Sequence, residues 1–220
     1  MNKLKECIQA IGQAMVGCNL ACKGINLEPA SGILPRCLFF ERSEILFDVG
    51  CTVTGINPGK SSKSERSCFV SNGCSYQATF DYWIDHVAKH HLYYNRLRYL
   101  VSAVFGGNPS ILWTELVKCE SADGTGEPPL QTFRTCVNQF LRKEIDAVPT
   151  TWPIFSVGKR SFELLAILYN ERTVIGLPHP TGSFGHFSKL FEKGLLKSEV
   201  SENIRSILNS DKPIAEWVSV

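Results

Sequence analysis

No apolar run in this chain approaches the roughly 20 residues that a membrane-crossing helix requires. The first residues, MNKLKECIQAIGQAM, carry scattered charge and lack the apolar core of a secretion signal. Both absences predict a cytoplasmic protein, nucleoid-associated if bacterial, with no membrane partner. Internal repeats, low-complexity tracts and long charge runs are missing too, so residues 1–220 are read as a single domain. Charge of one sign is also scarce, with Lys plus Arg numbering 23 against 21 Asp plus Glu. So small an excess neither demands nor forbids a polyanionic partner, because a local basic face can hide inside it. The hydrophobic fraction of 44% and charged fraction of 20% are ordinary for a globular chain. They exclude a disordered tail, a collagen-like repeat and a coiled coil. At 220 residues there is room for one ample core, or at most two small ones. What the chain has in excess is cysteine, nine in all. Without a secretion signal such thiols read as buried, reactive or metal-bound sooner than as disulfides, and an odd count leaves one outside any pairing.

Hydrophobic periodicity predicts a helix over residues 2–16, where Leu4, Ile8, Ile11 and Met15 recur at helical spacing. Two apolar runs follow, residues 37–40 and 45–54. The second is rich in Ile, Leu, Phe and Val and ends at a Gly-Ile-Asn-Pro-Gly turn, as a buried strand does. A helix is predicted over 77–105, strands over 111–117, 152–157 and 173–177, and helices over 130–146 and 158–168, before a polar helical C-terminal region. Strands alternating with helices predict an α/β fold with a parallel sheet covered on both faces, whose ligands bind at the strand carboxyl ends.

Two loops at such strand ends carry chemistry. Gly55-Ile56-Asn57-Pro58-Gly59-Lys60-Ser61-Ser62 suggests a phosphate-cradling G-x-x-x-x-G-K-S loop, but Gly55 to Gly59 encloses three residues where that loop encloses four. The other reading is a pocket lined by backbone and the Asn57 amide, with Pro58 fixing the turn and two glycines admitting a ligand closely. The Asn57 carbonyl can hold a water in line for attack. The second loop is Leu177-Pro178-His179-Pro180-Thr181-Gly182-Ser183-Phe184. A histidine between two prolines is stiffly placed, and its neutral imidazole can donate a hydrogen bond to an oxygen that gains charge as a leaving group departs.

These residues resemble the uracil-DNA glycosylase superfamily over about residues 45–195. GINPGKSS resembles the first motif of the mismatch-specific uracil/thymine glycosylases, and LPHPTGSF resembles the second motif. WTELVKC and WPIFSVGKRSFELL fall between them in the family's order. The resemblance implies a three-layer α/β/α sandwich with a short, mostly parallel central sheet. It also implies a monomeric, monofunctional DNA glycosylase of base excision repair, releasing uracil or a related deaminated base without a lysine nucleophile. The base must first leave the stack, at a cost of a few kcal/mol. By resemblance Asn57 positions the attacking water and, with Gly55 and Ile56, touches the base, while His179 stabilises the base anion. Phe69 falls where the mismatch-specific enzymes stack an aromatic ring on the base. Tyr76 competes for that role, and a plain core ring is the alternative for Phe69. Asn108-Pro109-Ser110 spells a second-motif variant but precedes a strand, and reads as a helix-ending turn.

The departures from the family pattern carry information. Glu115 stands where several branches place an Asn that reads the uracil edge. An ionised carboxylate only accepts hydrogen bonds and would repel the O4 acceptor of uracil, unless it is protonated or points away from the pocket. Thr181 replaces the usual Ser and keeps a hydroxyl for phosphate, beside Gly182. Ser183 occupies the place of the inserting residue with Phe184 next, so Phe184 is the candidate wedge. Lys60, Ser61, Lys63 and Arg66, with Lys159 and Arg160, are candidate DNA contacts or an ordinary solvated face. Cys119 and Cys136 resemble the second ligand pair of the iron–sulfur glycosylases. Cys18 and Cys22 sit where the first pair falls, one residue wider than usual. The four imply one [4Fe-4S] cluster, with buried unligated thiols as the alternative. Glu115 and the altered wedge also leave open a catalytically inactive nucleic-acid-binding protein on the same fold.

Overall fold

A computed structural model describes residues 2–44, 46–123 and 127–218. Its helices are α1 (Asn2–Val16), α2 (Lys63–Ser71), α3 (Tyr76–Tyr82), α4 (Leu92–Phe105), α5 (Leu130–Cys136), α6 (Arg142–Ala147), α7 (Lys159–Leu168) and α8 (Ser198–Leu208). Its strands are β1 (Ile25–Asn26), β2 (Phe39–Glu41), β3 (Leu46–Gly55), β4 (Pro109–Glu115), β5 (Glu120–Ser121), β6 (Ile154–Val157), β7 (Val174–Leu177), β8 (Phe191–Glu192), β9 (Leu195–Leu196) and β10 (Ala215–Trp217). Six strands form one sheet in the order β10-β7-β6-β3-β4-β2. Within it β3, β6, β7 and β10 run parallel. The short pairs β1–β5 and β8–β9 are antiparallel and separate. The chain is therefore α/β, with a mostly parallel central sheet flanked by helices. No helix among the described residues is long and apolar enough to cross a membrane.

The chain divides into two compact units that alternate along the sequence. One comprises the chain through Phe40, Ile56–Val87 and Trp113–Val148; the other comprises Glu41–Gly55, Ala88–Leu112 and the chain from Pro149. In the second unit β6 and β7 are wholly buried, as their unbroken Ile-Phe-Ser-Val and Val-Ile-Gly-Leu sequences require. Alternation along β6 sorts its two faces. Ser156 donates to Ser161 of α7 at 2.9 Å, and Ser161 donates to the Thr54 carbonyl at 3.2 Å. Phe155 points the other way and meets Phe105 at the end of α4 edge-on, centroids 6.3 Å apart. The sheet of this unit thus carries α7 on one face and α4 on the other. Arg205 of α8 donates to the carbonyls of Ala103 and Val104, satisfying the last turn of α4. Gly176 lets α7 and β10 close on β7, since a Cβ there would lie 2.4 Å from the Trp217 ring and 2.7 Å from that of Phe162.

In the first unit α1 buries Ile8 and Met15, from the stripe its spacing predicts, and packs against α3 and α6. Gly12 admits the Tyr76 ring, which would sit 2.4 Å from a Cβ at that position. The predicted helix over 130–146 is α5 and α6 joined by a π turn, Val137–Leu141, and ended ahead of Pro149.

The helix predicted over 77–105 is in fact two. α3 passes into a π turn, Trp83–Val87, and the chain breaks at Lys89–His91 before α4. His91 caps α4 by accepting from the Tyr93 amide on Nδ1, 3.3 Å away. The aromatic stripes of the two helices merge in sequence, which conceals the break. α2 is unforeseen because it buries only Phe69 and so has little apolar stripe; the Ser62–Glu65 capping box starts it. β10 is unforeseen because its Ala-Glu-Trp sequence becomes a strand only by pairing with β7. The predicted strand over 45–54 begins at Ile45, which lies outside the described residues.

Candidate functional site

The first-motif loop leaves β3 at buried Gly55, with Ile56 and Asn57 half-buried. Three fastenings hold it within the first unit. The Ile56 carbonyl accepts from the Val117 amide at 2.8 Å. The Gly59 carbonyl accepts from the Arg36 guanidinium. The Ser61 amide and hydroxyl both donate to Glu120 Oε2, at 2.7 and 2.8 Å. Between these fastenings the Asn57 amide nitrogen donates to the Pro58 carbonyl at 3.3 Å, which turns its own carbonyl oxygen away from that bond.

Arg36 and Glu120 are themselves buried, 5% and 1% exposed. They pair at 3.2 Å, Arg36 reaches Glu65 at 3.1 Å, and Arg66 reaches both Ser61 and Glu120. Burial opposes ionisation of Glu120, yet the Ser61 donors and the Arg36 charge hold its carboxyl below the ordinary range. Of the predicted DNA-contacting rim, Lys60 and Lys63 face solvent, whereas Ser61 and Arg66 are committed to this network.

The second-motif loop leaves β7 in the second unit. His179 is half-buried between Pro178 and Pro180, its ring 5.4 Å from that of Tyr93. The Thr181 amide donates to His179 Nδ1 at 3.3 Å, and the Thr181 hydroxyl lies equally close. An Nδ1 that accepts leaves the proton of a neutral imidazole on Nε2. Burial, and secondarily His91, lowers the His179 pKa below the ordinary value of 6.5, so the ring is neutral at pH 7. The Arg96 guanidinium of α4 donates to the Pro180 carbonyl. Beyond exposed Thr181 and Gly182 the chain reaches Phe184, which is 101% exposed with φ 51° and ψ 34°. A phenyl ring wholly in water on left-handed backbone is doubly unfavourable, the kind of strain that collects at functional sites. The side chain of Ser183 lies outside the described atoms.

Both rings singled out for base stacking lie in the core of the first unit. Phe69 is 1% exposed and edge-on to Tyr82, and Tyr76 is 4% exposed with its hydroxyl donating to the Leu38 carbonyl. Glu115, at the end of β4, is 7% exposed. Its charge is felt at the Cys37 thiol, which burial foremost pushes up to about 12. Asn108 accepts from Ser102 just past α4, whereas Pro109 and Ser110 belong to β4. Lys159 lies over the rings of Phe162 and Trp217, and Arg160 pairs with Glu163.

The four candidate ligand cysteines line one cleft of the first unit. Cys18 and Cys22 come from the turn after α1, Cys119 from the segment after β4, and Cys136 from α5. Leu20, Ile25, Pro35 and Phe140 complete its apolar wall. Burial foremost raises the thiols of Cys22, Cys119 and Cys136, and neighbouring thiols of the cleft add to the rise. The Lys118 amide donates to Cys136 Sγ at 3.4 Å. Among the described residues no three His, Cys, Asp or Glu side chains are gathered as the ligands of a single metal ion would be.

No family model matches the chain, and no curated protein matches it significantly in sequence. Sequence reasoning missed Arg36, Tyr93, Arg96, Glu120 and the fully buried pair Lys118–Glu144, with nitrogen and oxygen 2.6 Å apart. One signal was available. Lys118 and Glu120 are charges set in the otherwise apolar run that follows β4, where only a paired charge is stable.

Proposed function

We propose that the chain is a monofunctional DNA glycosylase on a three-layer sandwich of the uracil-DNA glycosylase kind. The observation that carries this is the loop after β7, where an imidazole of set tautomer precedes, by five residues, a strained and wholly exposed phenyl ring. Phe184 enters the base stack and offsets the cost of extruding the target nucleotide. His179 donates from Nε2 to the base oxygen that gains charge as the C1′–N bond breaks and its electron pair leaves on the base. Asn57 holds a water through its carbonyl oxygen; the water forms the new C1′–O bond and gives up a proton that ends on the base. Both motifs follow carboxyl ends of parallel strands, β3 and β7, where α/β sheets bind ligands.

The test is base release from oligonucleotides carrying uracil, hypoxanthine or xanthine, single-stranded and paired. Asn57→Ala should retain binding and lose roughly 10²-fold in release, because water then attacks from an unfixed position. Unchanged turnover would remove Asn57 from the mechanism. A second reading, a nucleic-acid binder without turnover, draws on the burial of Phe69 and Tyr76, which leaves neither ring free for a base. Binding without release from any of the three bases would establish it.

We also propose one [4Fe-4S] cluster held by Cys18, Cys22, Cys119 and Cys136. Four soft thiols on one apolar-walled cleft, with an N–H···S bond to Cys136, fit such a group in kind. The cluster would cross-link distant segments of the first unit. Protein purified without oxygen should then be brown and contain iron and acid-labile sulfide, and Cys119→Ser should lose both. A colourless, iron-free wild type ends the idea.

A further inference from the structure

We propose that the segment following Phe184, through the β8–β9 hairpin, is a second grip on the DNA backbone. The proposal rests on the glycosylase reading only in taking DNA as the partner. Two side chains fasten the segment to the second unit, Phe187 at 1% exposure and Leu190 at 0%. Phe191 packs its ring against those of Phe187 and Tyr99, and the Lys197 amide closes the hairpin onto the Leu190 carbonyl at 3.0 Å. Strands of two residues each do not persist in water alone, so these fastenings hold the hairpin in place.

What the fastened segment turns outward is unusual. Its turn is Lys193-Gly194, both left-handed at φ 50° and 81°. Asn, Asp or Gly normally fills the first of these positions, and a lysine there is strained. Leu195 follows at 66% exposure, and Lys189 also faces solvent. The segment therefore repeats the character of Phe184 nearby, with an apolar side chain pushed into water at a left-handed turn, now with cations beside it. Residues 185–197 carry Lys189, Lys193 and Lys197 against Glu192, with Lys197 3.9 Å from Glu199. Lys193 at the tip and exposed Lys189 just ahead of the hairpin, continuous in chain with the candidate wedge, suit a phosphate backbone, and Leu195 suits the sugar edge.

The experiment measures affinity for an undamaged duplex oligonucleotide against salt. Neutralising two phosphate contacts flattens the slope of log K against log[salt] by ~1.8. Lys189→Gln/Lys193→Gln should show that loss. Lys3→Gln/Lys5→Gln, an equal change of net charge on the exposed side of α1, should leave the slope intact. Equal slopes for the two variants overturn the proposal, as does a wild type that binds no DNA. The catalytic reading fails independently: a flattened slope in a protein that releases no base upholds the hairpin and removes the glycosylase. Normal release with an unchanged slope does the reverse.

Discussion

His179→Ala is expected to keep DNA binding and to slow base release by about 10²–10³-fold, the usual effect of removing one donor aimed at developing negative charge. The expectation follows from the hydrogen bond at Nδ1. Because the Thr181 amide occupies that nitrogen, the only proton a neutral ring can offer is on Nε2. His179→Gln, which keeps a donor without the fixed geometry, should fall between wild type and alanine. Equal rates for wild type and His179→Ala would end the assignment. A pH titration gives a second readout free of substrate. The folded pKa of His179 lies below 6.5, through burial and then His91, so the unfolded chain takes up the proton first. Stability from this source is full above about 6.5 and declines as pH falls from there toward the folded value. The decline should be shallower in His179→Ala, measured as denaturation midpoints across that window.

Much of this was legible in the sequence, for identifiable reasons. Strand runs 152–157 and 173–177 are short, apolar and bounded by Pro or Gly, and correspond to β6 and β7. The motif loops follow directly from such strands, so Asn57 and His179 could be placed at strand ends from pattern alone. Periodicity fails where an element lacks an apolar stripe, as α2 does, or is created by its neighbour, as β10 is. It also fails where two aromatic stripes run together, as in α3 and α4. The fastenings of the first-motif loop were illegible for another reason. Arg36 and Glu120 stand 84 residues apart, and charged residues read as surface unless the partner is known. The four candidate ligand cysteines came from a resemblance to the iron–sulfur glycosylases, and they line one cleft. For Phe69 and Tyr76, spacing could not tell a base-stacking ring from a core ring.

The buried pair Lys118–Glu144 should produce the largest stability effect in the chain. Both side chains are 0% exposed. The three ammonium protons have three acceptors, Glu144 Oε2, the Glu115 carbonyl and the Thr114 hydroxyl, and Thr114 in turn donates to Glu144. Removing one partner strands a charge in the interior of the first unit. Glu144→Leu or Lys118→Met alone should therefore cost about 3–5 kcal/mol in denaturant unfolding. The double variant Lys118→Met/Glu144→Leu removes both charges together and should recover most of that loss, since replacing a buried pair by apolar side chains is often close to neutral. A double variant as unstable as the sum of the singles would show that packing, not charge, accounts for the loss. Function need not follow stability here. Lys118 ties the Glu115 carbonyl through its ammonium and Cys136 Sγ through its amide, while Val117 and Glu120 on either side fasten the Asn57 loop. Residues 117–120 thus connect the cysteine cleft to the first motif. A double variant restored in stability but slower in base release would locate the purpose of the buried pair in holding that run in register.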